Sequence, residues 1–346
     1  MGSQGKNYGE NAFRFAAEFC FPRLSGSKGD EDAQETARRI FSALGLSPQE
    51  DRFPASYLLI NFFARVALLP FGVLLILAAV FYRSPAPYAS LIFSALALVA
   101  GLGFALYCQS SPIFPGRHRH ESRNIFARTG PDNPDQEFVV VGHYDSKSQT
   151  FPIWFRILSY YVAGFFSLFV AAAGVYLGVV HPGSGSKFSQ ALPVLDLCAG
   201  VLDFVPLFNR LGNRSPGAVD NASAVGVGFE LARIFSEDPL KRGRFWMVLT
   251  GAEELGLPGR KTDPELNSVI RNIAAHNSLR FQMVRASLGF STDAQPFLAA
   301  GYRAVSLGFV NRWMHTGRDS VDKLIASNLG DYVKILEQAI RKIDDR

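Results

Sequence analysis

Cysteine is scarce in this chain, and its placement excludes more than its number does. Cys20, Cys108 and Cys198 lie far apart and give an odd count. Neither a disulfide framework nor a cysteine-type zinc site is expected from them. A stripe of positive charge is also lacking. The net charge of +5 is modest and the lysines and arginines are scattered, which argues against a nucleic-acid partner. The opening MGSQGKNYGENAFRF has no apolar core of the kind a signal peptide needs. It carries Lys6 where a myristoylation motif requires Ser or Thr.

Charge is missing altogether from several long runs. Residues 88–108 and 157–180 contain no charged side chain, and about 20 helical residues suffice to cross a hydrocarbon layer of roughly 30 Å. Residues 66–82 are uncharged but shorter, with Arg65 placed to snorkel at their start and 54–64 expected at the interface. A fourth run, 189–208, contains Asp196 and Asp203; a carboxylate at mid-membrane costs about 2.5–3.5 kcal/mol on insertion scales. It reads either as a span or as a re-entrant or surface hairpin. The runs pair into two transmembrane hairpins, 56–108 and 153–208. Each hairpin returns the chain to its starting side, so 1–55, 109–152 and 209–346 can form one globular domain embedded at a lipid bilayer.

What remains has the pattern of an α/β domain. DEDAQETARRIFSALGL (30–46) has helical periodicity, and QEFVVVGHYDS (136–146) reads as a buried strand emerging at His143. DNASAVGVGFELARIFSE (220–237) reads as a closely packed helix, GRFWMVLTGAEE as a strand, and PELNSVIRNIAAH as a helix. AVSLGFV (304–310) reads as a final strand before a C-terminal helix from about 327 to 342. Alternating strands and helices imply a layered α/β fold.

The run Phe245 to Leu249 leads to two adjacent glutamates, Glu253 and Glu254. Carboxylates side by side at the end of a buried strand lose hydration and repel each other, so a positive partner is required. His143 ends one strand, Asp220 opens a helix, and His315 sits in WMHTGRDSVDKL. In open α/β sheets ligands gather beyond the carboxyl ends of strands. Histidine and carboxylate ligands suit zinc, and a carboxylate that is not a ligand can serve as a base.

These segments, taken in order, resemble the zinc exopeptidases of the bacterial leucyl aminopeptidase and glutamate carboxypeptidase type, metallopeptidase family twenty-eight. PRLSGSKGDEDAQETARRIFSALGL and SRNIFAR are similar to its N-terminal helix and first edge strand. VVVGHYDS, PGAVDNASAVGVGFELAR, TGAEELGLPG, STDAQPFLAAGYRAVSL and MHTGRDSVDKL follow in family order. The resemblance covers 22–55 and 109–346. It implies a three-layer αβα domain with a mostly parallel or mixed central sheet, interrupted here by the two inserted hairpins. It also implies that His143 binds one zinc, Asp220 bridges two, Glu254 and His315 bind the second, Glu253 is the general base and Asp145 orients His143. A cis peptide at Asp220–Asn221 and a peptide substrate follow from the same resemblance.

One family feature is missing. The family places a further zinc-binding aspartate on a strand after the glutamate pair, whereas here RKTDPELNSVIRN runs directly into a helix. Asp263 is the nearest substitute, and it reads as an N-cap followed by Pro264. One zinc, held by Asp220, Glu254 and His315, is therefore expected rather than two. His118 and His120 are read as part of a solvated basic loop rather than as ligands.

Three functions fit: a membrane-bound zinc exopeptidase, a single-zinc cyclase of the glutaminyl cyclase kind, and a non-catalytic peptidase-fold binding protein. Arginines at 52, 65, 117, 119, 123, 128, 156, 210 and 214, with Lys147, flank the runs on the globular side, against Arg83 and Lys187 at the tips. The positive-inside rule then places the globular domain in the cytoplasm. A cysteine substituted at Ser184 should be labelled from outside intact cells and one at Ser268 should not; the reverse pattern overturns this orientation.

Overall fold

The computed structural model describes residues 7–56, 64–82, 84, 88–107, 120–180, 187–255, 263–279, 294–308 and 311–346. In chain order come α1 (Tyr8–Ala17), α2 (Lys28–Ala43), β1 (Gln49–Ala55), α3 (Leu69–Phe81) and α4 (Ala89–Tyr107). Strands β2 (His120–Thr129) and β3 (Gln136–His143) precede α5 (Ile153–Val180), α6 (Lys187–Leu202) and α7 (Ser223–Glu237). Then follow β4 (Gly243–Thr250), α8 (Pro264–His276), α9 (Ala294–Ala299) and α10 (Ala326–Asp344). The chain divides into two compact units. The first comprises Met1–Ser56, Arg119–Ser148 and Gly212–Arg346, and the second Tyr57–His118 and Gln149–Leu211.

The first unit is built on a sheet of order β1-β2-β4-β3. β1 pairs antiparallel with β2, β2 antiparallel with β4, and β3 parallel with β4. The sheet is thus mixed rather than mostly parallel, because β1 and β2 return as neighbours and two of its three pairings are antiparallel. Helix α7 packs against β3 and β4, and its small residues allow this. A Cβ on Gly226 would sit 2.3 Å from the Ala12 carbonyl oxygen and 2.7 Å from the Ala16 Cβ, so α1 can cross α7 only where side chains are absent. Phe229 on α7 is fully buried and lies against the rings of Phe15, Phe19 and Phe41, at centroid distances of 5.7, 5.9 and 4.9 Å.

One expectation changes in this unit, the strand over 304–310, and another holds, the N-cap at Asp263. Residues 302–308 belong to no helix or strand, since no described strand pairs with them; 309 and 310 lie outside the described residues. Asp263 caps α8, its carboxylate accepting from Leu266 N at 2.8 Å and pairing with Arg303 at 3.1 Å. The preceding residues 256–262 lie outside the described set, as does His118.

In the second unit α3 packs on α4 and α6, and α5 packs on α4 and α6. Its interior is formed by Leu68, Phe71, Leu75, Ala97, Ala163, Val170, Ala171, Leu192 and Ala199. The apolar side chains extend to the outside: Val80, Val99, Phe165 and Phe169 are 60–69% exposed. Asp196 and Asp203 are fully buried instead, and Asp203 accepts from Ser167 Oγ at 2.9 Å. Two stretches, Ile153–Val180 and Gln190–Phe208, are long and apolar enough to cross a membrane. The 13 residues of α3 rise only about 20 Å, short of the expected span. Arg65 does not snorkel but donates to the Leu207 carbonyl at 2.7 and 2.9 Å.

Removing the Phe229 ring leaves a cavity among three aromatic rings. Phe229→Ala should cost about 3–5 kcal/mol, read as a lowered midpoint in thermal unfolding followed by tryptophan fluorescence; a loss under about 1 kcal/mol would contradict this packing.

Candidate metal centre

The parallel register of β3 and β4 places His143 opposite Thr250. Both strands therefore end at the same edge, and the turns beyond them deliver His143 and the Glu253–Glu254 pair to one place. Asp220 arrives in the short irregular segment Ala218–Ala222 that opens α7, and its peptide bond to Asn221 is cis. His315 comes from the loop before α10. Two residues beside these groups, Ala252 (φ 60°) and His315 itself (φ 61°), occupy the left-handed region, a conformation that costs energy in non-glycine residues and concentrates at functional sites.

Asp220, Glu254 and His315 offer ligand atoms that all lie within 4.8 Å of one another. His315 Nε2 is 2.9 Å from Asp220 Oδ2 and 3.2 Å from Glu254 Oε2. It nevertheless makes no aligned hydrogen bond, and Glu254 Oε1 is likewise buried without a partner. Such atoms are costly unless something else satisfies them. A nitrogen and two carboxylates converging without hydrogen-bonding each other are the donor set of a zinc ion, so these residues fit a bound metal. His143 is adjacent, with Nε2 3.3 Å from Asp220 Oδ1 and 3.6 Å from Glu253 Oε2.

The electrostatics follow the same logic. Burial opposes ionisation of Asp220, but the two imidazoles outweigh it and hold its pKa well below the ordinary value. Glu254 is likewise opposed by burial, yet His315 and Lys147 bring it to about 2. For the imidazoles burial favours the neutral form, and the carboxylates prevail. Glu253, Asp145 and Asp220 raise His143 well above 6.5, and Glu254 and Asp220 raise His315. A pocket that draws protons onto both histidines is short of positive charge.

Asp145 does more than face His143. Its backbone carbonyl lies 3.1 Å from His143 Nδ1, while its carboxylate accepts from Glu253 N and Glu254 N, each at 3.2 Å. It therefore fixes the turn that carries both glutamates. Asp319 is a second such residue, one that sequence pattern alone does not mark. Fully buried, it accepts from Val219 N at 3.0 Å and Asp220 N at 3.2 Å. Its signal in the sequence is its place four residues after His315, within WMHTGRDSVDKL. Arg23, from the PRLSGS segment, is also fully buried and donates to the carbonyls of Tyr144, Phe21, Pro216 and Gly217. Lys147, read from sequence as a basic flank, is instead buried in this pocket against Glu254, at 2.7 Å. His120 faces Ser25 Oγ at 2.8 Å, outside the cluster.

Residues 197–262 match the model of Peptidase family M28. No curated protein matches the chain. Among solved structures it is similar to BSAP, a zinc aminopeptidase from Bacillus subtilis, at 14% identity and a TM-score of 0.54, over 97% of this chain and 94% of that one. A glutaminyl cyclase from Fimbriiglobus ruber matches at 14% identity and a TM-score of 0.53, over 99% and 97%. The aminopeptidase from Aneurinibacillus sp. strain AM-1 matches at 14% and 0.52, over 96% and 93%. A segment of this chain thus matches peptidase family M28, the family that its motifs resemble, and its fold is similar to that of zinc aminopeptidases and glutaminyl cyclases.

Proposed function

We propose that this protein is a membrane-bound, zinc-dependent exopeptidase of aminopeptidase type. The observation that carries the reading is the convergence of Asp220, Glu254 and His315 on one space, with Glu253 beside it as a carboxylate outside that donor set. Zinc held by these three residues would supply Lewis acidity toward water and the scissile carbonyl. The chain's own groups do the rest. Glu253 accepts a proton from the attacking water and returns it to the leaving amine. Asp145 holds the Glu253 backbone in place for that transfer, and Asp319 holds Asp220. His143 lies against Asp220 and Glu253, where it orients both carboxylates. The substrate is a peptide, and the absence of the family's further aspartate favours one zinc.

Membrane attachment rests on the second unit, with its two long apolar stretches and its apolar exterior. Apolar residues outside and carboxylates inside are the reverse of a soluble bundle and suit a lipid surround. In this reading α3 and α4 form one hairpin and α5 and α6 the other, and the globular unit faces the cytoplasm.

A single-zinc acyl-transfer cyclase is supported by one specific observation, the Asp–Glu–His donor set with cyclases among the similar folds. Glu253 would then take a proton from the α-amine as it attacks the side-chain amide carbonyl of an N-terminal glutamine and pass it to the amide nitrogen, which leaves as ammonia.

Metal content comes first as a test. Detergent-purified protein should retain about one zinc per chain after dialysis, and His315→Ala should lose it. Unchanged zinc affinity in that variant would remove the site. Glu253→Gln should keep zinc but lose at least about 100-fold in rate. It should be assayed on aminoacyl and N-terminal glutaminyl peptides alike. A variant turning over at the wild-type rate excludes the mechanism, and the peptide on which wild type acts separates peptidase from cyclase.

A further inference from the structure

The second unit contains a cleft of about 370 Å³ between α3, α4 and α5, lined by Leu68, Phe71, Gly101, Tyr160, Gly164 and Leu168. Sites for small ligands usually fall between roughly 300 and 1,000 Å³. Phe165, at its rim, is 64% exposed, so the cleft opens on the outer apolar surface of the bundle.

Two glycines border this cleft for different reasons. Gly101 has to be small, because a Cβ there would stand 2.7 Å from the Phe71 ring and 2.9 Å from Leu168. Gly164 lies inside α5, and a Cβ on it would meet nothing within 4 Å. Glycine is among the least favourable residues within a helix, and packing in the chain does not require it here. What Gly164 preserves is open space.

The chemistry of an occupant can be read along α5. Arg156, Tyr160, Gly164 and Leu168 follow at intervals of four and run along one ridge of the helix, over about 18 Å. Arg65, just before α3, joins the charged end: its guanidinium and that of Arg156 both lie within electrostatic range of the Tyr160 phenol. Arg65 is fixed there by its bonds to the Leu207 carbonyl at 2.7 and 2.9 Å, a neutral acceptor that leaves its charge in place. Arg156 donates to the Gln149 side chain. Positive charge, then a phenol, then an apolar trough matches a phospholipid from phosphate through interface to acyl chain.

We propose that this cleft binds an anionic phospholipid, with one acyl chain against Gly164 and Leu168 and the phosphate beside Arg65 and Arg156. Arginine suits a phosphate because its planar fork can donate two parallel bonds. The inference rests on the membrane reading of the second unit and is independent of the zinc site.

The test is lipid binding by the full-length chain purified in detergent. Native mass spectrometry and thermal unfolding would follow additions of dioleoylphosphatidylglycerol or dioleoylphosphatidylcholine. Wild type should bind the anionic lipid at least about tenfold more tightly, as two arginines beside a phosphate imply. Arg65→Gln combined with Arg156→Gln should abolish that preference, and Gly164→Leu should fill the trough and weaken both lipids about tenfold. Soluble glycerol phosphate should not compete. Circular dichroism checks that each variant is folded. Should the double variant fail to fold, Arg156→Gln, which leaves the Arg65 bonds intact, should lower the preference at least about threefold. Should Gly164→Leu fail to fold, the charge variants decide alone. Equal affinity of wild type for the two lipids, an unchanged preference in a folded arginine variant, unchanged binding by a folded Gly164→Leu, or competition by glycerol phosphate overturns the proposal. Each of these leaves the membrane reading intact. Wild type recovered in the aqueous fraction without detergent overturns both.

Discussion

Three carboxylates forced into one buried space repel one another, and much of the first unit is arranged around that repulsion. The parallel pairing of β3 with β4 creates the problem by ending both strands at one edge. The surrounding groups contain it: His143 between Asp220 and Glu253, His315 between Asp220 and Glu254, and Lys147 on Glu254. Backbone N–H groups answer the outer carboxylates of Asp145 and Asp319, and carbonyls answer the buried Arg23. The groups of this cluster come from four separate segments, 143–147, 218–220, 253–254 and 315–319, so the pocket draws its shape from much of the unit rather than from one loop.

The second unit solves the opposite problem. Its outer surface is apolar and its buried polar groups are few, with Asp203 given to Ser167 and Asp196 lying inside the bundle. Close helix contact at Gly72 and Gly200, where an added Cβ on either would meet the other's carbonyl oxygen at 2.7 Å, resembles the small-residue packing used where water supplies no drive to associate.

Much of this was legible in the sequence because it was written in short-range chemistry. The strand ending at His143, the helix opened by Asp220 and the Glu253–Glu254 turn each announce themselves by pattern, and Asp263 announces itself as a cap by the proline that follows it. The sheet order was not legible. Whether β2 runs parallel or antiparallel to β4 depends on pairings between residues more than a hundred positions apart, and a strand's own residues do not state its neighbour. The place of Lys147 is hidden for a related reason. A lysine next to an apolar run looks like a flank charge until the fold brings a carboxylate 107 positions away against it. Asp319 is not legible because it acts on backbone N–H groups, which leave no trace in side-chain patterns.

The order of the pocket's residues along the chain sets a schedule for its assembly. Arg23 waits for Pro216 and Gly217, and Asp220 waits for His315 and Asp319. During synthesis the apolar helices of the second unit therefore leave the ribosome well before the last of these groups exists. Until residue 319 has emerged, the nascent chain holds Glu253 and Glu254 without the loop that completes their surroundings. Closure of this acidic cluster is thereby deferred to the final stage of synthesis, after every strand of the sheet has emerged.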